Sequence, residues 1–186
     1  RPGIGVLAGF VDACSRGFMH NEETSFLLRD VLNEILHKPQ FTLNLKMIKV
    51  GLQTSERIPD PSLALKLALS CINKEKTRSR VVSRSKASQT DVDQLMASDP
   101  KVLNEEEKYL FSSQEVMKAI EICVKCGDMD SASSILLSLD ELGESISPQL
   151  QLAAYSLVLK GFSQTGNACA ANAILNGMRE LGMGLR

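Results

Sequence analysis

The side chains with the means to do chemistry are five cysteines, two histidines and a basic run. Cys123-Val-Lys-Cys126 has a spacing that metal sites and redox dithiols both use. Structural zinc takes four ligands, yet no second such pair exists, and His20 and His37 lie far upstream. A redox pair of this kind follows a strand and opens a helix. Here both thiols fall at i and i+3 on the last turn of a predicted helix, where a free cysteine serves as a small apolar residue. Cys14, Cys71 and Cys169 are likewise scattered among apolar residues, and the odd total reads as buried free thiols in a reducing compartment, which argues against secretion.

His20 falls at a hairpin turn and His37 at a helix end, and neither has a Ser or Cys neighbour that would make a nucleophile and base. Gly3, Gly5 and Gly9 precede no Lys-Ser/Thr pair and follow no visible strand, so they read as close-packing positions on a helix. The acidic runs Glu22-Glu23 and Glu105-Glu106-Glu107 stand at expected helix starts, where the helix dipole accounts for them. No acid, base and nucleophile assemble, so the expectation is no enzyme, no metal site and no cofactor.

The strongest electrostatic feature is the stretch 74–86. Lys74, Lys76, Arg78, Arg80, Arg84 and Lys86 there face a single acid, Glu75. Interleaved with Ser, this segment reads first as a solvated linker and second as a sequence-independent contact for phosphate backbone. It contains no aromatic residue, so base stacking from it is not expected.

Composition sets the elements that must carry these residues. The chain has 186 residues, 21 Lys+Arg against 22 Asp+Glu, 44% apolar residues, 4% aromatic residues and no Trp. That is one domain's worth of ordinary protein, with no apolar run of the roughly 18 residues a membrane-spanning helix needs. Balanced charge excludes a uniformly basic nucleic-acid coat, and aliphatic rather than aromatic apolar content favours helices burying narrow stripes.

Self-similarity organises the C-terminal part. Segments 116–143 and 155–182 align without gaps, with turn glycines Gly127 and Gly166 and closing glycines Gly143 and Gly182, each pair 39 residues apart. In each unit a small residue (Ala132, Ala171) stands five positions after the turn Gly, and a large apolar one (Leu139, Met178) seven after that. A helix, a tight turn and a second helix produce this spacing. The Gly takes the left-handed conformation, Asp128 or Asn167 caps the second helix, and the alanines let the helices approach.

Upstream, residues 4–17 read as an apolar helix. Residues 22–36 read as a second, with Phe26, Leu28, Val31, Leu32, Ile35 and Leu36 on one face and Pro39 as its stop. A helix over 41–54 and another opened by Asp60-Pro61-Ser62 and running through Asn73 make the next pair. Segment 75–107 lacks sustained apolar periodicity and reads as a mobile linker with one short helix at 90–97. The chain thus divides into two hairpins in 1–74, a basic then acidic linker in 75–107 and two hairpins in 108–186. Its start without Met and its end just after a helix read as a piece of something longer.

The run Tyr155-Ser156-Leu157-Val158-Leu159-Lys160-Gly161-Phe162-Ser163-Gln164-Thr165-Gly166 resembles the opening helix of a pentatricopeptide repeat, and Ala171, Ile174, Leu175, Met178 and Gly182 match its second helix. The resemblance is specific over 155–182, good over 116–143 and architectural over 4–74. The tetratricopeptide repeat, the nearest competitor, would prefer a Trp and a Leu-Gly pair in its first helix. The family resemblance implies hairpins stacked in a superhelix whose inner face is built by the first helices, with one side chain near the start of each first helix and one at the end of each unit reading one RNA base. Carried over, the early position falls on Ser156 and, one unit before, on Met117; the end-of-unit position falls on Gln149, after Pro148. Ser156 is a short hydrogen-bonding side chain of the kind the family uses, and Met117 is not.

The expected fold is therefore all-α, with about four antiparallel hairpins stacked as a short α-α superhelix and interrupted by the linker. The resemblance implies an RNA-binding module in organellar gene expression, in a mitochondrion or plastid, with single-stranded RNA as partner. The alternative is a scaffold subunit of an organellar ribosome or RNA polymerase that binds protein partners, which Met117 favours.

Overall fold

The computed structural model describes residues 4–15, 22–38, 43–87, 113–143 and 146–183. Their regular elements are eight helices: α1 (Ile4–Ser15), α2 (Glu22–Leu36), α3 (Leu45–Arg57), α4 (Pro61–Ala87), α5 (Ser113–Lys125), α6 (Met129–Asp140), α7 (Pro148–Gln164) and α8 (Ala168–Glu180). No strand occurs among the described residues.

The turns follow from local chemistry. Gly127 and Gly166 have φ of 73° and 71°, and Gly143 and Gly182 have 53° and 69°, all in the region that L side chains rarely adopt. At the α5–α6 turn the Asp128 N–H donates to the Cys123 carbonyl at 3.0 Å, and at the α7–α8 turn the Asn167 N–H donates to the Phe162 carbonyl at the same distance. This six-to-one bond satisfies carbonyls that a helix end leaves open. Asp128 then caps α6 by accepting from the Ser131 N–H at 3.0 Å, and Asn167 caps α8 by accepting from the Ala170 N–H at 3.1 Å. Asp60 does the same for α4 through the Leu63 N–H at 2.9 Å. No heavy atom lies within 4 Å of a Cβ added at Gly127, so Gly127→Ala carries a purely backbone cost. We expect a loss of about 1–2 kcal/mol, measured by urea unfolding, with Gly127→Asn closer to the parent protein.

Packing is between neighbours in the chain. Each helix lies against its hairpin partner, the first helices follow one another as α1 on α3, α3 on α5 and α5 on α7, and α4 lies on α2 and α6. One contiguous apolar core runs through them, including Leu28, Leu32, Leu67, Ile72, Ile120, Ile135 and Leu139. Ala132 is fully buried, as a small residue at a close helix approach must be, whereas Ala171 is only half-buried. The α8 helix buries Met178 alone.

Several elements differ from expectation. The helix opened by Asp60 does not stop near Asn73; α4 runs to Ala87, so the basic run 74–86 stands on helical backbone rather than in a linker. Lys, Arg and Ser without an apolar stripe left no periodicity to read, yet all are compatible with helix once a buried first half has nucleated it. The rest of the expected linker, with the short helix at 90–97 and Glu105 to Glu107, lies outside the described residues, as do Gly3 and His20. The third helix begins at Leu45, with Asn44 accepting from the Met47 N–H at 2.8 Å, later than its expected start. On α2, Phe26 is exposed rather than on the core face, with the Arg29 guanidinium 5.3 Å from its ring centre.

The close-packing glycines are also different ones. Gly5 and Gly9 have nothing within 4 Å of an added Cβ. The tight sites are Gly51 on α3, where the added atom would lie 2.6 Å from a Leu67 methyl, and Gly161 on α7, where it would lie 2.6 Å from the Met129 sulfur.

Candidate functional site

The candidate site is a groove of about 660 Å³ between α5 and α7, lined by Gln114, Met117, Lys118, Glu121, Val124 and Lys125 on one side and Leu157, Lys160 and Gln164 on the other. The α5 residues recur every three or four positions, which places them on one helix face. The α7 residues stand 39 positions after Lys118, Glu121 and Lys125, so equivalent positions of the two units line one groove from opposite helices. Met117, Val124 and Leu157 supply its apolar surface, and three lysine ammoniums, two glutamine amides and the Glu121 carboxylate its polar groups.

Two of the lysines are held by carboxylates. Lys118 Nζ lies 2.7 Å from Glu56 Oε1 on α3 and 3.7 Å from Glu121 Oε2, while Lys125 Nζ lies 2.8 Å from Glu121 Oε1 and 3.7 Å from Glu56 Oε1. The hydrogen bond from Lys118 holds Glu56 below the usual carboxylate range, and that from Lys125 does the same for Glu121. The stabilisation from these lowered values is complete at neutral pH and disappears as pH falls below the ordinary carboxylate value of 4.5. Lys160 has no ion-pair partner among the described residues. Farther along the α3–α5 seam, Glu115 is buried, with Oε1 3.6 Å from Lys49 Nζ and Oε2 without a hydrogen-bond donor among the described residues.

Of the residues carried over from the family, only Met117 lines the groove. Ser156 is exposed in the third turn of α7 and not near its start, because α7 begins at Pro148; its hydroxyl donates to the Leu152 carbonyl at 2.8 Å. Gln149 is exposed in the first turn of α7 rather than at the end of a connection. Ser147 caps that helix and Pro148 opens it, a pairing that lengthens α7 upstream of the repeat signal.

The basic run divides. Lys74 Nζ donates to the Leu43 carbonyl just before α3, and burial pushes its pKa down. Lys76 is paired with Glu141 just beyond α6. Both tie α4 to its neighbours. Arg78, Arg80, Arg84 and Lys86 lie on the α4 backbone, and their side chains are outside the described set.

Tyr155, the first residue of the repeat signal, is structural. Its hydroxyl donates to Asp140 Oδ2 at 2.6 Å, Gln151 Nε2 donates to Asp140 Oδ1 at 2.8 Å, and its ring lies 3.5 Å from a Cβ added at Gly177. Burial and the Asp140 bond push the phenol pKa up. One side chain thus joins α6, α7 and α8. We expect Tyr155→Phe to lower the unfolding free energy by about 1–2 kcal/mol, the worth of a hydrogen bond to a charged acceptor that keeps one other donor, read by thermal or urea denaturation.

The cysteines are free thiols. Cys123 is buried and donates to the Pro61 carbonyl at 3.7 Å, and burial raises its pKa to about 12. Cys126 sits just past α5, exposed, with its pKa raised by partial burial and by Asp128. Neither is poised as the thiolate that redox exchange or metal binding needs. Cys14 and Cys71 are buried as expected, whereas Cys126 and Cys169 are exposed. His37 is exposed at the end of α2. Among the described residues no group of three or more His, Cys, Asp or Glu side chains could hold a metal ion, and no helix is long and apolar enough to cross a membrane.

The groove residues other than Met117 escaped the sequence reading. Their signal is present: Lys118, Glu121 and Lys125 are polar residues on the same face as Met117, and the repeat offset maps them onto Leu157, Lys160 and Gln164. No family model, curated protein or solved structure matches the chain.

Proposed function

We propose that the chain is an RNA-binding helical-repeat module of the pentatricopeptide type, its hairpins stacked as a short α-α superhelix, with single-stranded RNA in the groove between α5 and α7. Support for the stack comes from the succession of first helices, α1 on α3 on α5 on α7, and from the identical glycine turns of the last two hairpins. Support for RNA comes from one observation: lysine ammoniums, glutamine amides and an apolar surface are combined in a groove built from equivalent repeat positions. Lysines attract phosphates without sequence preference, amides can meet base edges, and Met117, Val124 and Leu157 can lie against base faces. No aromatic platform is present, so the binding is expected to be weak and poorly selective. A role in organellar gene expression, in a mitochondrion or plastid, follows from the family resemblance alone, and no catalytic step is assigned.

A second reading is a scaffold subunit of an organellar ribosome or RNA polymerase that grips a protein partner. It is favoured by Glu56 and Glu121, which neutralise two of the groove's lysines, and by a Met at the expected base-reading position. Salt separates the two readings. Fluorescence anisotropy with a labelled single-stranded RNA is expected to show binding at low ionic strength that weakens steeply toward physiological salt. No binding even at low salt would end the RNA reading and leave the scaffold reading.

A further inference from the structure

On the proposed RNA reading, we infer that Glu56 and Glu121 are built-in competitors of the ligand, which make the groove select long polyanions over short ones. The two carboxylates and the ammoniums of Lys118 and Lys125 alternate in a closed set of four contacts of 2.7 to 3.7 Å. All four groups are partly exposed, so the set is open to exchange with a ligand. A phosphate that engages either lysine shares its ammonium with a carboxylate already there, or displaces it, and meets that carboxylate's charge at close range.

For a single anion that exchange gains little. One charge-assisted contact is traded for another, and the displaced carboxylate stays beside the newcomer. Lys160, across the groove on α7, carries no such competitor. A strand first held at Lys160 brings its neighbouring phosphates to Lys118 and Lys125 at high effective concentration, so only a polymer displaces both carboxylates. Glu56 comes from α3 and Glu121 from α5, so the threshold is set jointly by two successive first helices.

The test compares the parent chain with Glu56→Gln, Glu121→Gln and the double variant, using labelled oligouridylates of about three and about fifteen nucleotides at low salt, lengths chosen to fall well below and near the upper end of single-strand site sizes. The double variant is expected to bind the long strand roughly tenfold tighter, since each exposed pair is weak and contributes only a few-fold. It should also bind the short strand measurably, while the parent does not. Glu56→Gln should lose its effect in a background carrying both Lys118→Gln and Lys125→Gln, the two lysines that Glu56 contacts. Glu22→Gln with Asp130→Asn makes the same charge change at exposed positions outside the groove and is expected to leave both affinities unchanged. Thermal unfolding monitored by circular dichroism verifies that the variants are folded.

Three outcomes are distinguishable. A parent that binds RNA and a double variant that binds no tighter overturn the competitor role and leave the RNA reading standing. No binding by either chain removes both. Binding by the double variant alone supports the competitor role in its strongest form.

Discussion

Leu67→Ala is expected to lower the unfolding free energy by about 3 kcal/mol, within the roughly 2–5 kcal/mol typical of a buried Leu truncated to Ala. Leu67 is fully buried on α4, and its methyls lie 2.6 and 3.4 Å from where Gly51 of α3 would carry a Cβ. A Leu32 methyl of α2 lies 3.3 Å from the same point. Three helices therefore meet over a glycine, and the leucine fills the space that the missing side chain leaves. The surrounding backbones are held by their own hairpins, so the cavity collapses only in part. Against a total of about 5–15 kcal/mol for a domain, the loss is large.

The reciprocal change has two opposing terms. Gly51→Ala gains up to about 1 kcal/mol of helix propensity but forces Leu67 aside, and overpacking costs about 1–3 kcal/mol. The net expectation is a modest loss. With Leu67→Ala also present, the new methyl enters the vacated space, so the double variant should be more stable than the sum of the single effects by about 1 kcal/mol. Urea unfolding of the four proteins decides this, and strict additivity would mean that α3 and α4 do not meet at Gly51.

The second large effect concerns the groove. Lys118→Gln, Lys125→Gln and Lys160→Gln together are expected to weaken single-stranded RNA binding on the order of a hundredfold at low salt, and to reduce the slope of log affinity against log salt by about 2. Glutamine keeps a hydrogen-bonding side chain of similar reach, so the loss reads out charge rather than shape. Truncating Glu56's partner is tolerable for the fold, because the pairs are exposed and worth at most about 1 kcal/mol each. Substituting Arg78, Arg80 and Arg84 by Glu separates α4 from the groove as a source of binding. On the proposed reading it weakens affinity far less than the groove triple does.

Much of the fold is legible in the residues themselves. Gly127 and Gly166 announce left-handed turns because few other residues take that conformation, and Asp60, Asp128 and Asn167 announce helix starts because their side chains reach the open N–H groups. Those signals are local and need no tertiary context. The extent of α4 is not local: its polar second half shows no stripe, and Lys74 and Lys76 gain their roles from Leu43 and Glu141, distant in sequence. The position of Ser156 and Gln149 within α7 is not legible from the repeat signal, because Ser147 and Pro148 start the helix upstream of it. Gly51 and Gly161 looked ordinary, since a glycine's contacts are invisible until its neighbours are placed. Glu56 was unreadable as a site residue for the same reason, as it lies on α3, outside the repeat that marks the groove.

The most direct measurement is photo-crosslinking of a 4-thiouridine-containing single-stranded RNA to the chain, with the crosslinked peptides mapped by mass spectrometry. RNA lying in the α5–α7 groove predicts adducts in peptides spanning 114–125 and 157–164. Adducts confined to 74–87, or an absence of crosslinks under low-salt conditions, would contradict it.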